Sequence, residues 1–132
     1  MSAQAVHDAI SQRVATCGYP VQWQASSLSP VSADEFVRLQ IIPLSKRMPM
    51  LGDDSPAITR GLLLIDCFSP IGAGMSRVHE LADEIGALFD RADRIYITNG
   101  IIEFPHGALV RSPMATGAHA QATVQISYEV YQ

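Results

Sequence analysis

Four histidines, two cysteines, a glycine pair before a helix and a few isolated carboxylates are the residues of this 132-residue chain that could do chemistry. His7, His79, His106 and His119 show no ligand spacing to one another. His79-Glu80 lacks the second histidine, four residues on, that a helical zinc site needs. Cys17 and Cys67 form no CxxC pair, and in a chain without a secretory signal they are expected to be reduced thiols. Gly72-Ala73-Gly74 suggests a phosphate loop, since helix N-termini attract anions. Arg77, however, stands where the dinucleotide fingerprint has its third glycine, and no Gly-Lys-Ser/Thr follows, so a structural corner is the better reading. Asp66 lies in a strand, where pairing with Arg38, Arg60 or a backbone donor competes with a raised pKa and a functional role. Asp53-Asp54 is read as a solvated loop rather than a cation site, and neither Ser76 nor Ser112 has an activating neighbour. The sequence therefore offers no catalytic constellation, no cofactor site and no metal site.

The elements around these residues are clearer than the chemistry. From Ile58 to Phe89 the chain reads as a buried strand, a Pro/Gly corner and an amphipathic helix. Leu62-Leu63-Leu64-Ile65 is a continuous apolar run. By alternation Gly61, Leu63, Ile65 and Cys67 share the side expected to meet a helix, and Arg60, Leu62, Leu64, Asp66 and Phe68 share the other. Ser69-Pro70 ends the strand, and Gly72 and Gly74 turn the chain into a helix starting near Met75. Val78, Leu81, Ala82, Ile85, Leu88 and Phe89 make its stripe, with Arg77, Glu80, Asp83, Glu84 and Asp90 off it. Gly86 inside this helix costs about 0.5–1 kcal/mol relative to Ala, which predicts a close packing contact there.

A first helix is predicted from Ser2 to about Ala15, on the face made by Ala3, Val6, Ile10 and Val14, and Cys17-Gly18 with Pro20 stops it. Val21 to Gln24 is short and extended, and Trp23 anchors a core edge or a subunit contact. Glu35 to Pro43 is a strand, with Val37, Leu39 and Ile41 on its buried face. Leu44 to Ala57 fits neither helix nor central strand and reads as an exposed arm or long hairpin tip, whose Met48, Met50 and Leu51 suit an interaction surface. Arg94 to Thr98 and Ile101 to Phe104 flank an Asn99-Gly100 hairpin turn. Ala108 to Arg111 is a short strand and Met114 to His119 a small-residue loop. Ala122 to Tyr131 is the most regular strand, expected inside the sheet. The predicted fold class is α+β, a mainly antiparallel sheet with two helices packed on one face and a long arm between the first strands. It is expected to be one domain over residues 1–132, with residues 44–57 as the arm.

Composition narrows the function further. Nine Lys plus Arg against thirteen Asp plus Glu give a net charge of −4, and Lys46-Arg47 is the only adjacent basic pair. Tight nucleic-acid binding needs a clustered basic face, which this chain does not offer. No apolar run approaches the roughly 20 residues needed to cross a bilayer, and the N-terminus lacks a signal-peptide core, so no membrane is expected and synthesis is expected in the cytoplasm.

The order of elements resembles the tail-terminator (tail-completion) proteins of long-tailed bacteriophages. The resemblance is carried by Gly61-Leu-Leu-Leu-Ile-Asp-Cys-Phe-Ser-Pro70, Gly72-Ala-Gly74, Val78 to Phe89 with Leu81-Ala82-Asp83, the Val124-Gln-Ile-Ser-Tyr128 strand and the Pro/Gly-rich arm. It covers roughly Phe36 to the C-terminus. It implies a non-enzymatic virion protein, made in the host cytoplasm, whose hexameric ring caps the tail tube, stops its growth and presents a docking surface to the neck of the filled head. Its expected partners are copies of itself, the tail-tube protein and a neck or head-completion protein. DNA passes through the lumen without tight binding, and a weakly acidic ring suits that passage. Lys46, Arg47, Met48, Met50, Leu51, Asp53 and Asp54 are the candidate subunit or tube contacts. Two other readings stand beside this one: another neck component (a head-completion or connector protein), or a small α+β ligand-binding domain or enzyme using Asp66 and a histidine.

Overall fold

The computed structural model describes residues 3–19, 21–22, 35–47, 58–90, 94–97, 100–116 and 119–131. Helix α1, Ala3–Ala15, buries Ile10 and Val14 completely. It ends as expected: the Cys17 N–H donates to the Val14 carbonyl at 3.0 Å, and Gly18 takes φ +83° to turn the chain away. Two residues, Val21–Gln22 (β1), then pair in parallel with Val37 and Arg38 of strand β2, Phe36–Arg47.

Strand β3, Ile58–Pro70, is antiparallel to β2, with Val37 opposite Cys67, Leu39 opposite Ile65 and Ile41 opposite Leu63. Its burial alternates as predicted from Gly61 to Cys67, with Gly61, Leu63, Ile65 and Cys67 buried and Leu62, Leu64 and Asp66 only half-buried. Phe68, on the outward side, departs from the pattern and is buried, stacked on Phe36. A 3₁₀ turn, Ile71–Ala73, and Gly74 at φ +83° lead into helix α2, Met75–Gly86, which a second 3₁₀ turn, Ala87–Phe89, extends. Strands β4 (Arg94–Ile97) and β5 (Gly100–Glu103) pair antiparallel, with Ile97 opposite Gly100. The turn predicted at Asn99 lies outside the described residues.

The last strand, β8 (His119–Tyr131), sits in the middle of the sheet. One of its edges pairs with β3 along its whole length. The other edge is shared by three short strands in succession: β5, β6 (Ala108–Val110) and β7 (Met114–Thr116). The main order is therefore β1-β2-β3-β8-β5-β4, antiparallel apart from the β1–β2 pair. Both helices lie on one face of this α+β sheet. Ile10 and Val14 of α1 join Val78, Leu81, Ala82 and Ile85 of α2 in one core with the inward residues of β2, β3 and β8. Packing of these stripes holds the helices more than their intrinsic propensity does. Arg13 Nη1 donates to the Leu88 carbonyl at 3.1 Å, tying α1 to the end of α2. At Gly86 an added Cβ would come within 3.1 Å of Ala108 Cβ, which is the close contact that the glycine predicts.

Three boundaries differ from the sequence reading. Strand β8 begins at His119, read as loop, three residues before the predicted Ala122. Leu44 to Arg47, read as the start of the arm, continue β2, because a register shift between Pro43 and Ser45 absorbs one residue as a bulge. Proline has no ladder donor, and the bulge lets pairing resume at Ser45 opposite Arg60 while Leu44 is left 61% exposed. Met114 to Thr116, read as part of a loop, form β7 against Gln121, Ala120 and His119. A three-residue strand between Pro113 and Gly117 has no periodicity of its own, and only the neighbouring β8 supplies its ladder.

Candidate assembly interface

The sheet face turned away from the helices carries the outward residues of β2, β3 and β8. At one end Phe36 stacks on Phe68 with ring centroids 4.6 Å apart, and the His119 ring meets Phe36 edge-on at 5.5 Å. Arg38 lies over Phe68, its Cζ 5.3 Å from the ring centroid. The same guanidinium donates to Asp66 Oδ2 from Nη2 at 2.8 Å and Nε at 3.2 Å, while the Thr123 hydroxyl donates to Oδ1 at 2.6 Å. Asp66 is thus a structural carboxylate, and Arg38 is the partner that holds it.

Further along, Arg60 Nε sits 3.2 Å from Glu129 Oε1, and Arg94 Nε sits 3.2 Å from Glu103 Oε1. Glu129 and Glu103 face one another across β8 and β5, so charges run positive, negative, negative, positive across four strands. The Tyr131 hydroxyl donates to Glu129, and that bond, together with burial, raises the phenol's pKa. Arg111 donates to the Gln125 side-chain carbonyl from Nε at 3.2 Å and also from Nη2. In the first two pairs the carboxylate is the deeper group: Arg38 is 47% exposed and Asp66 15%, and Arg60 and Glu129 differ similarly. The face therefore presents guanidinium crests over sunken carboxylates. Such surface pairs stabilise the monomer by only about 0–1 kcal/mol each. Between them lie half-buried Leu62 and Leu64 and exposed Tyr96, Leu109 and Met114.

The helix side has the opposite character. Asp8, Glu80, Asp83 and Glu84 are exposed there. Arg77 does not simply point into solvent with them. Its Nη2 donates to Glu35 Oε1 at 3.0 Å and its Nε donates to Oε2, forming a fork that bridges α2 to the residue before β2. The Tyr19 hydroxyl accepts from Arg77 Nη2 at 3.3 Å and donates to Glu84 Oε2 at 2.5 Å. The guanidinium holds the Glu35 carboxyl below the usual carboxylate range. Chiefly through Glu35, the same contacts raise the pKa of Arg77. The bond to Glu84, aided by burial, raises the Tyr19 phenol. The sequence reading missed this cluster, because its members are far apart in the chain and each looks like an ordinary surface residue.

Among the chemistry-bearing residues, Gly72 and Gly74 serve as the corner before α2. Cys67 is fully buried, and burial, with the Asp66 charge next in effect, pushes its thiol up to about 12, so it is inert as a nucleophile at neutral pH. Among the described residues no three His, Cys, Asp or Glu side chains lie close enough to hold a metal ion, and no helix is long and apolar enough to cross a membrane. Of the candidate contacts, Lys46 and Arg47 belong to the end of β2. Met48, Met50, Leu51, Asp53 and Asp54, like Trp23, lie outside the described residues. Arg47 and Ile58 are register partners, so both ends of the 48–57 segment meet at one end of the sheet.

The fold is thus two layers, sheet and helices, with a charge-patterned sheet face that no described helix covers. The family described as phage tail terminator protein matches residues 3–128. The chain belongs to that family. It is accordingly a structural component of a phage tail, a virion protein that assembles with other tail components. One solved structure that bears no functional name covers 98% of this chain and 96% of its own, at 21% identity and a TM-score of 0.79. A chain from the virion of a native gene transfer agent particle covers 98% of this chain and 97% of its own, at 16% identity and a TM-score of 0.62. At these identities the two structures establish the shared fold. No curated protein sequence matches the chain.

Proposed function

We propose that this tail terminator closes into a ring, of six copies, on the head-proximal end of the tail tube. There it stops tube polymerisation and offers the surface on which the neck of the filled head docks. The match to the tail terminator family over residues 3–128 carries this reading. A ring needs a heterologous, head-to-tail contact between unlike surfaces of one chain, and the basic-crested sheet face and acidic helix side supply two unlike surfaces. DNA crosses the lumen without being retained, in keeping with a net charge of −4.

Met48, Met50 and Leu51 make the apolar part of a subunit or tube contact in this reading, with Lys46, Arg47, Asp53 and Asp54 as its polar rim. Because Arg47 and Ile58 are register partners, residues 48–57 can be replaced by a tight Asn-Gly turn without disturbing β2 and β3. That variant is expected to keep the wild-type circular dichroism and melting transition but lose its effect on tubes. The assay adds purified protein to polymerising tail-tube subunits and measures tube lengths by negative-stain microscopy. Wild type should cap tubes at a short, narrow length distribution and the variant should not. Uncapped growth with wild type would overturn the capping function, and capping by the variant would overturn the role of the arm.

A further inference from the structure

The two broad surfaces of the molecule differ in charge in a way that capping alone does not require. On the open sheet face Arg38, Arg60, Arg94 and Arg111 stand against Asp66, Glu103 and Glu129, with the carboxylates Asp66 and Glu129 sunk beneath their arginines. On the helix side Arg13 and Arg77 are the described cations; Arg77 is held by Glu35 and also reaches Glu80 at 3.3 Å. Glu84 accepts from the Tyr19 hydroxyl, which leaves Asp83 as the acid on this face with no such bond among the described residues. Glu80, Asp83 and Glu84 remain exposed along α2. The sheet face also leaves Tyr96, Leu109 and Met114 in water, at 72%, 58% and 59% exposure. Aromatic, Met and Arg side chains are the types that interfaces favour.

We propose that the occupant is a second copy of this chain: the outer, acidic face of α2 in one subunit docks on the open sheet face of the next. The inference rests on the ring reading and names the surfaces that make the ring. Glu80, Asp83 and Glu84 meet the crests of Arg60, Arg94 and Arg111, and the apolar side chains between the crests are covered by the helix. The contact is heterologous, because helix meets sheet rather than its own counterpart, so it propagates in one direction and closes only as a ring. Its charged groups set register and association rate, and the association weakens with salt.

Charge exchange tests the pairing. One variant carries R94E and R111E, placing acid on the sheet face; among the described residues the Arg111 side chain bonds a neutral amide, and Arg94 lies on the edge strand β4, so both changes spare the core. The other carries E80R and D83R, placing base on α2. Each is checked by its melting transition, and self-association is followed by analytical ultracentrifugation and native mass spectrometry. Each variant alone should associate about a hundredfold more weakly than wild type. An equal mixture of the two should recover assembly in even-numbered rings of alternating subunits, and so should the chain bearing all four changes. Folded variants that associate as well as wild type, or a mixture that fails to recover, overturn this interface while wild-type rings leave the ring reading standing. Wild type that stays monomeric at every concentration and on tube ends overturns both. Duplex DNA retained by wild type and released by R94E/R111E overturns the proposal in favour of nucleic acid on that face.

Discussion

Gly61 shows how much one missing methyl can decide. It is buried on the helix-facing side of β3, directly opposite Tyr128 of β8, and the Tyr128 phenol occupies the space where a side chain at position 61 would begin. Tyr128 is itself almost wholly buried, and that burial raises its pKa. Gly61→Ala is therefore expected to destabilise by about 1–3 kcal/mol through overpacking. Urea unfolding of the variant would measure it. Gly61→Ala combined with Tyr128→Val should recover more than the sum of the separate changes predicts, since the smaller side chain vacates that space. The glycine was readable as part of an apolar strand face, but the reason for it was not, because the tyrosine that claims its volume lies far along the chain.

Among the elements, α2 is anchored twice: by its buried stripe and by the Arg77 fork to Glu35 with Tyr19 alongside. The sign of the pH effect follows from Glu35. Its folded pKa lies below the unfolded value, so its contribution is complete above about pH 4.3, the ordinary Glu pKa, and is lost as pH falls through the folded value. Arg77→Gln should therefore lower the melting temperature by a constant amount near neutrality. The gap should narrow as pH drops below about 4.3. A gap that widens in acid would mean that the fork does not hold α2. Elements with their own period could be read in advance: α2 from its apolar stripe, β3 from its two sides and β8 from strict alternation that appears as burial at every second residue. Those defined by neighbours could not. The bulge at Leu44 needs β3 to reveal it, β7 exists only because β8 passes it, and the Arg77 cluster links segments that carry no shared sequence signal.

For the whole molecule the decisive fact is that the C-terminal strand is central. β8 pairs with β3, β5, β6 and β7, and Ala122, Val124, Ile126, Tyr128 and Val130 all enter the core. Truncation after residue 118 would leave β3 without its partner on one edge, β6 and β7 with none, and β5 with β4 alone. The expected outcome is loss of the cooperative melting transition and of native near-ultraviolet dichroism, as opposed to the modest shift that trimming an edge strand would cause. The candidate interface was legible in part. Alternation placed Arg60 and Asp66 on the face away from the helix, but the crest-and-trough relation of arginine to carboxylate needs the tertiary sheet.

The same placement has a consequence for how the protein is made. Because β8 follows every other described strand, a chain that has not yet reached it can form helices and the β2–β3 hairpin but cannot complete the sheet. The open sheet face is thus complete only once β8 has been added, and a growing chain that has not yet reached β8 cannot present it.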